Sequence, residues 1–110
     1  MFGFGIPTIS VEDLKAKLDR GDKFVLVDVR EAQEIAICSI PGSLKIPLGN
    51  LAQRLAELSP GDEIVVHCKA GGRSGRAVKF LIGAGFGNSW NLAGGIDQWA
   101  EKIDPKMARY

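Results

Sequence analysis

Histidine is all but missing from this 110-residue sequence, which has only His67. Cysteine occurs twice, at Cys38 and Cys68. These three residues form neither a CxxC redox pair nor the ligand spacing of a zinc site, so no metal is expected. With one histidine, a Cys–His–Asn hydrolase is also short of material. Long apolar runs are absent too. No stretch approaches the roughly 18 apolar residues of a membrane span. The start, Met1-Phe2-Gly3-Phe4-Gly5-Ile6-Pro7, lacks the basic flank and apolar core of a signal peptide. A cytoplasmic protein is therefore expected. There the two thiols stay reduced, and a structural Cys38–Cys68 disulfide is the lesser reading. The net charge is only +1, which gives no global field to attract nucleic acid or a membrane.

A further absence is local. Between Glu63 and Asp97 there is no carboxylate, but there are four cations: Lys69, Arg73, Arg76 and Lys79. Residues 1–60 carry seven basic against eight acidic side chains, and residues 61–110 carry seven against five. Positive potential thus gathers on one stretch, His67-Cys68-Lys69-Ala70-Gly71-Gly72-Arg73-Ser74.

What is present fits one domain, with residues 1–7 as a lead-in or linker remnant and residues 8–110 as the folded unit. Ser10 is an N-cap, with Glu12 and Asp13 in the first turn; Leu14 and Leu18 share a face, and Gly21 stops that helix. Phe24 to Val27 and Glu63 to His67 are continuous apolar runs suited to strands buried on both faces. A short helix is expected over Glu31 to Ile35, a turn at Ile40 to Ser43 and a strand at Leu44 to Ile46. Leu51, Leu55 and Leu58 predict a helix over 50–58, and the best helix covers 73–84. Ser89 to Leu92 reads as a strand and Gly94-Gly95 opens a last helix through Trp99. The tail from Ile103 is read as irregular. Strands alternating with helices indicate an α/β domain with a mainly parallel sheet. Sites in such sheets form beyond the carboxyl ends of the strands, where Asp28, Cys68 and Asn91 fall.

Cys68 has two readings. A core thiol is common, but it needs neither glycines nor cations. An activated thiolate uses both. Gly71 and Gly72 let successive N–H groups converge into an anion nest, the following helix adds its positive end, and Lys69, Arg73 and Arg76 add full charges. All of these lower a thiol's pKa. His67 is adjacent on the strand, so it points to the other face and reads as a buried, hydrogen-bonded histidine rather than a base. For Arg76 and Lys79 a solvated helix face is the plainer reading. Asp28 and Arg30 read as a charge pair or loop tether, with substrate binding as the alternative. Cys38 reads as a small buried residue, and Gly94, Gly95 and Trp99 as turn and packing residues.

Three segments, in this order, resemble the rhodanese family: Val27-Asp28-Val29-Arg30-Glu31 with Ile40-Pro41-Gly42-Ser43, then Val66 to Ser74, then Gly94-Gly95-Ile96-Asp97-Gln98-Trp99. The loop Cys-Lys-Ala-Gly-Gly-Arg-Ser and the ending Ile103 to Tyr110 are similar to the C-terminal rhodanese domain of adenylyltransferase–sulfurtransferase proteins. The resemblance implies a five-stranded, mainly parallel sheet flanked by helices on both faces. It implies a sulfurtransferase in which Cys68 carries a persulfide, cradled by Lys69, Ala70, Gly71, Gly72, Arg73 and Ser74, with Asp28 and Arg30 in support and no separate cofactor. The implied partners are a small sulfane-sulfur donor or a cysteine desulfurase, and a ubiquitin-like sulfur-carrier protein. Four residues separate Cys68 from Arg73. Related phosphatases of this fold use five, so phosphatase or arsenate reductase activity is the weaker alternative, beside a non-enzymatic interaction module. Residues 32–37 lack the aromatic that often follows the acidic residue in the family.

Overall fold

A computed structural model describes residues 2–3 and 5–110. The order of elements is β1 (Phe2–Gly3), β2 (Ile6–Ile9), α1 (Val11–Arg20), β3 (Val25–Asp28), α2 (Ala32–Ile35), β4 (Leu44–Lys45), two short 3-10 segments (Leu48–Gln53 and Leu55–Glu57), β5 (Ile64–His67), α3 (Gly72–Gly83), β6 (Ser89–Leu92) and α4 (Gly95–Lys102). The sheet runs β1-β2-β6-β5-β3-β4. Its five strands from β2 to β4 are mutually parallel, and only the two-residue β1 is antiparallel, on the edge. The α/β architecture read from the alternation is therefore the one observed.

Local chemistry explains most boundaries. The Ser10 hydroxyl accepts from the Asp13 N–H at 3.0 Å and opens α1, and Gly21, at φ 69°, closes it. Two expected features differ. Residues 1–7, expected as a lead-in, contribute to the sheet, since Phe2–Gly3 pair with Ile6 and Pro7 of β2; Met1 and Phe4 lie outside the described residues. Residues 50–58 do not form one α-helix. Two 3-10 segments, Leu48–Gln53 and Leu55–Glu57, take its place, with Arg54 between them.

Strand alternation divides the core. Val27, Ile64, Val66 and Cys68 face Ala77, Val78 and Leu81 of α3, with Leu51 and Leu58 beside them. Leu26 and Val65 face Val11 and Leu14 of α1 and Ile96 and Trp99 of α4. Each such buried aliphatic contributes about 1.5–3 kcal/mol of transfer free energy. The central strand β5 is buried at every position, and its carboxyl end delivers Cys68.

Candidate active site

Cys68 leaves β5 into the turn that becomes α3. Gly71 takes φ 116°, a left-handed conformation that a side chain resists, and this turns its N–H back onto Cys68 Sγ at 3.1 Å. Ser74 Oγ lies 3.3 Å from the same sulfur. Burial alone pushes the thiol up, since Cys68 is only 1% exposed. The Ser74 hydroxyl and the N–H groups of Ser74, Gly71 and Ala70 outweigh it, and the net pKa is below the ordinary thiol value. Of the two glycines expected to form a nest, Gly71 directs its N–H at the sulfur.

The loop is seated on α4. The Ile96 N–H donates to the Cys68 carbonyl and the Asp97 N–H to the Lys69 carbonyl, each at 3.0 Å. Gly95 makes this approach possible: a Cβ there would meet the Lys69 carbonyl oxygen at 2.5 Å. The glycine pair does more than turn the chain, since its second member brings two backbones into contact.

The charged residues are placed differently from one another. Arg73 makes a two-pronged pair with Glu34, at 2.6 and 2.9 Å. That pairing holds the Glu34 carboxyl down to about 2. Lys69 Nζ meets both Asp97 carboxylate oxygens at 3.1 and 3.2 Å and the Tyr110 main-chain oxygen at 2.8 Å, with the Tyr110 ring 4.6 Å away. Arg76 and Lys79 lie exposed on α3.

Asp28 and Arg30 are both wholly buried and form a two-pronged pair at 3.0 and 2.8 Å. Arg30 also donates to the Cys38 carbonyl at 2.8 Å and to the Tyr110 hydroxyl at 3.2 Å. The pair ties the 31–38 segment and the chain's last residue to the end of β3. Cys38 is half-buried, and both cysteines are free thiols.

His67 points away from Cys68, as the alternation requires. It is fully buried among β3 and the 40–43 turn, with Nε2 3.3 Å from Ser43 Oγ and 3.7 Å from Asp28 Oδ2. The Ser43 hydroxyl already donates to the Ile40 carbonyl at 2.7 Å, so its oxygen accepts from His67 Nε2–H. Burial lowers the imidazole to about 4, and it stays neutral.

Three contributors were given no specific role by the sequence. Glu34 fell within the short helix expected over Glu31 to Ile35, and besides its pair with Arg73 it forms a capping box with Glu31. Tyr110 stood in a tail without periodicity. Asn91 was placed at a strand end, but its bonds to Ser74 Oγ at 2.6 Å and to the Gly71 carbonyl at 3.1 Å exist only in the fold.

The family profile described as Rhodanese-like domain matches residues 10–102. A protein named Sulfurtransferase from Allochromatium vinosum is 36% identical over 91% of this chain and 94% of its own. The Adenylyltransferase and sulfurtransferase MOCS3 of Arabidopsis thaliana is 33% identical over 93% of this chain, which spans 25% of that protein. Several other curated relatives are also longer, and the chain spans between 23% and 54% of their length. The crystal structure of a rhodanese-like domain protein from Staphylococcus aureus superposes with a TM-score of 0.83 at 28% identity, covering 89% of this chain and 95% of that one.

Proposed function

The chain belongs to the rhodanese-like domain family, and on that premise we propose that it is a sulfurtransferase with Cys68 as the persulfide carrier. The observation that carries the reading is the Gly71 N–H turned onto Cys68 Sγ at 3.1 Å, with the Ser74 hydroxyl in reach of the same sulfur at 3.3 Å. Such a cradle favours a negative sulfur and serves the thiolate and the persulfide alike.

With thiosulfate as donor, the thiolate attacks the outer sulfur. The S–S bond of thiosulfate breaks, sulfite leaves with the bonding pair, and Cys68 becomes a persulfide anion. A nucleophilic acceptor then attacks the outer sulfur, the Cys68 S–S bond breaks, and its electron pair returns to Sγ as thiolate. With cyanide as acceptor, thiocyanate forms. No proton changes hands in either step, in keeping with a neutral His67 on the far face of β5. Lys69 to Ser74 supply the loop's N–H groups, hydroxyl and positive charge, and the buried Asp28–Arg30 pair holds the neighbouring segment. The reading needs no cofactor beyond the persulfide. A cysteine desulfurase as donor and a ubiquitin-like sulfur carrier as acceptor suit the relatives named for both adenylyl and sulfur transfer, and such partners would place the protein in the cytoplasm. The chain has no helix long and apolar enough to cross a membrane among its described residues.

The test is incubation with thiosulfate, followed by intact mass and cyanolysable sulfur. One added sulfur atom on the protein, lost in Cys68→Ser, is expected. No gain of mass, or a gain that persists in Cys68→Ser, would overturn the assignment. A pure interaction module would instead keep its partner complex in Cys68→Ser and never load sulfur.

A further inference from the structure

Ser74 Oγ stands between two groups that both want its proton. It lies 3.3 Å from Cys68 Sγ and 2.6 Å from Asn91 Oδ1. The Asn91 amide is oriented by its other end, since Nδ2 donates to the Gly71 carbonyl at 3.1 Å. The oxygen facing Ser74 can only accept, so the 2.6 Å bond uses the one hydroxyl proton. When the sulfur is a thiol, S–H donates to Ser74 Oγ and the chain from sulfur to hydroxyl to amide is complete. When the sulfur is a thiolate, the Cys68–Ser74 contact has no proton unless the hydroxyl turns away from Asn91. Asn91, 8% exposed, then has a carbonyl oxygen without that donor.

We propose that Asn91 is a positioning residue that sets the ionisation of Cys68 by competing with its sulfur for the Ser74 hydroxyl proton. Ser74 is then a rotor with two settings, toward Asn91 beside a thiol and toward Sγ beside a thiolate. The idea rests on the sulfurtransferase reading only for its consequence. As the Cys68 S–S bond breaks and its pair stays on Sγ, the hydroxyl swings to that sulfur. The proton is reoriented and is not exchanged.

The other charges around Cys68 are held by partners that do not involve Asn91. Arg73 of α3 is paired with Glu34 of α2, and Lys69 of the loop with Asp97 of α4. His67 and Asp28 lie on the other face of β5, and Cys68 otherwise belongs to the apolar cluster with Val29, Ile46 and Leu51. Changes at Asn91 therefore reach Cys68 by two routes, the Ser74 hydroxyl and the Gly71 carbonyl that Asn91 Nδ2 holds, and only the first is lost in a Ser74→Ala background.

The experiment is the pH dependence of iodoacetamide alkylation, read at Cys68 by peptide mass so that Cys38 does not contribute. Asn91→Leu, Ser74→Ala and the double variant are compared with wild type. Asn91→Leu is expected to lower the midpoint by about one unit, roughly tenfold in thiolate fraction below it. Ser74→Ala should raise the midpoint, and Asn91→Leu should shift it much less in the Ser74→Ala background. An equal shift in both backgrounds, or none in wild type, overturns the proposal. If Asn91→Leu does not fold, the Asn91 side-chain amide resonance is followed by NMR. It should move with the Cys68 midpoint in wild type and largely cease to do so in Ser74→Ala; a flat trace in wild type, or the same movement in both proteins, overturns the proposal. No sulfur donor enters these measurements, so their failure is separable from a failure of persulfide loading.

Discussion

Gly95→Ala probes how the active loop is held. Gly95 has φ 58°, and an added Cβ would lie 2.5 Å from the Lys69 carbonyl oxygen, 2.6 Å from its carbon and 2.7 Å from the Cys68 carbonyl oxygen. All three atoms are main chain, so no side chain can swing aside. The loop and α4 must separate by several tenths of an ångström. The same separation stretches the Ile96-to-Cys68 and Asp97-to-Lys69 hydrogen bonds, both 3.0 Å. The left-handed conformation costs an alanine about 1–2 kcal/mol. The overpacking costs about 1–3 kcal/mol more. A loss of about 3 kcal/mol is a large part of the roughly 5–15 kcal/mol that holds a domain folded. At roughly 4–8 °C per kcal/mol for a domain of this size, the melting temperature should fall by about 15 °C. Thermal melting by circular dichroism reads this directly. Gly83→Ala is the control. It lies at the exposed end of α3 with nothing within 4 Å of the added Cβ, and it should leave the melting temperature unchanged or slightly raised. If Gly95→Ala melts within a few degrees of wild type, the claim that α4 seats the loop is wrong.

Two further predictions concern charge. His67 is held neutral by burial, with its pKa lowered from 6.5 to about 4. Above pH 6.5 neither the folded nor the unfolded state binds that proton. As pH falls from 6.5 toward 4 only the unfolded state does, so stability should decline by roughly 1.4 kcal/mol per unit. Glu34, lowered to about 2, adds its own loss only below its ordinary value of 4.5. Chemical denaturation between pH 6.5 and 4.5 therefore isolates His67, and His67→Gln should flatten that slope; an unchanged slope refutes the assignment. Arg73→Ala should raise the alkylation midpoint of Cys68 and slow sulfur loading, whereas Glu34→Gln, which frees Arg73, should lower the midpoint. Shifts of the same sign in both variants would count against a charge role for Arg73.

Much of this was legible because it is local. Ser10 and Gly21 bound α1 through bonds within a few residues of each other. Period-two alternation by itself puts Cys68 and His67 on opposite faces of the sheet. The 50–58 segment misled because leucines at this spacing bury a common face in 3-10 turns as well as in an α-helix, and the pattern alone does not separate the two. The ion pairs were harder. Asp28 and Arg30 are two apart, and their pairing could be suspected. Arg73 and Glu34 are distant in sequence, and nothing in either residue names the other.

By itself the sequence determined the α/β class, the parallel strands and the thiol in a glycine-rich loop at a strand's end, because periodicity and backbone preference act over short stretches. Only the tertiary structure decided what surrounds that thiol. The donors from Gly71 and Ser74 needed a specific backbone path, and the support from Asn91, Gly95, Glu34 and Tyr110 comes from segments that meet Cys68's loop only when the sheet assembles. Whether a sulfur is charged depends on every donor and charge within a few ångströms, and that neighbourhood is a property of the fold.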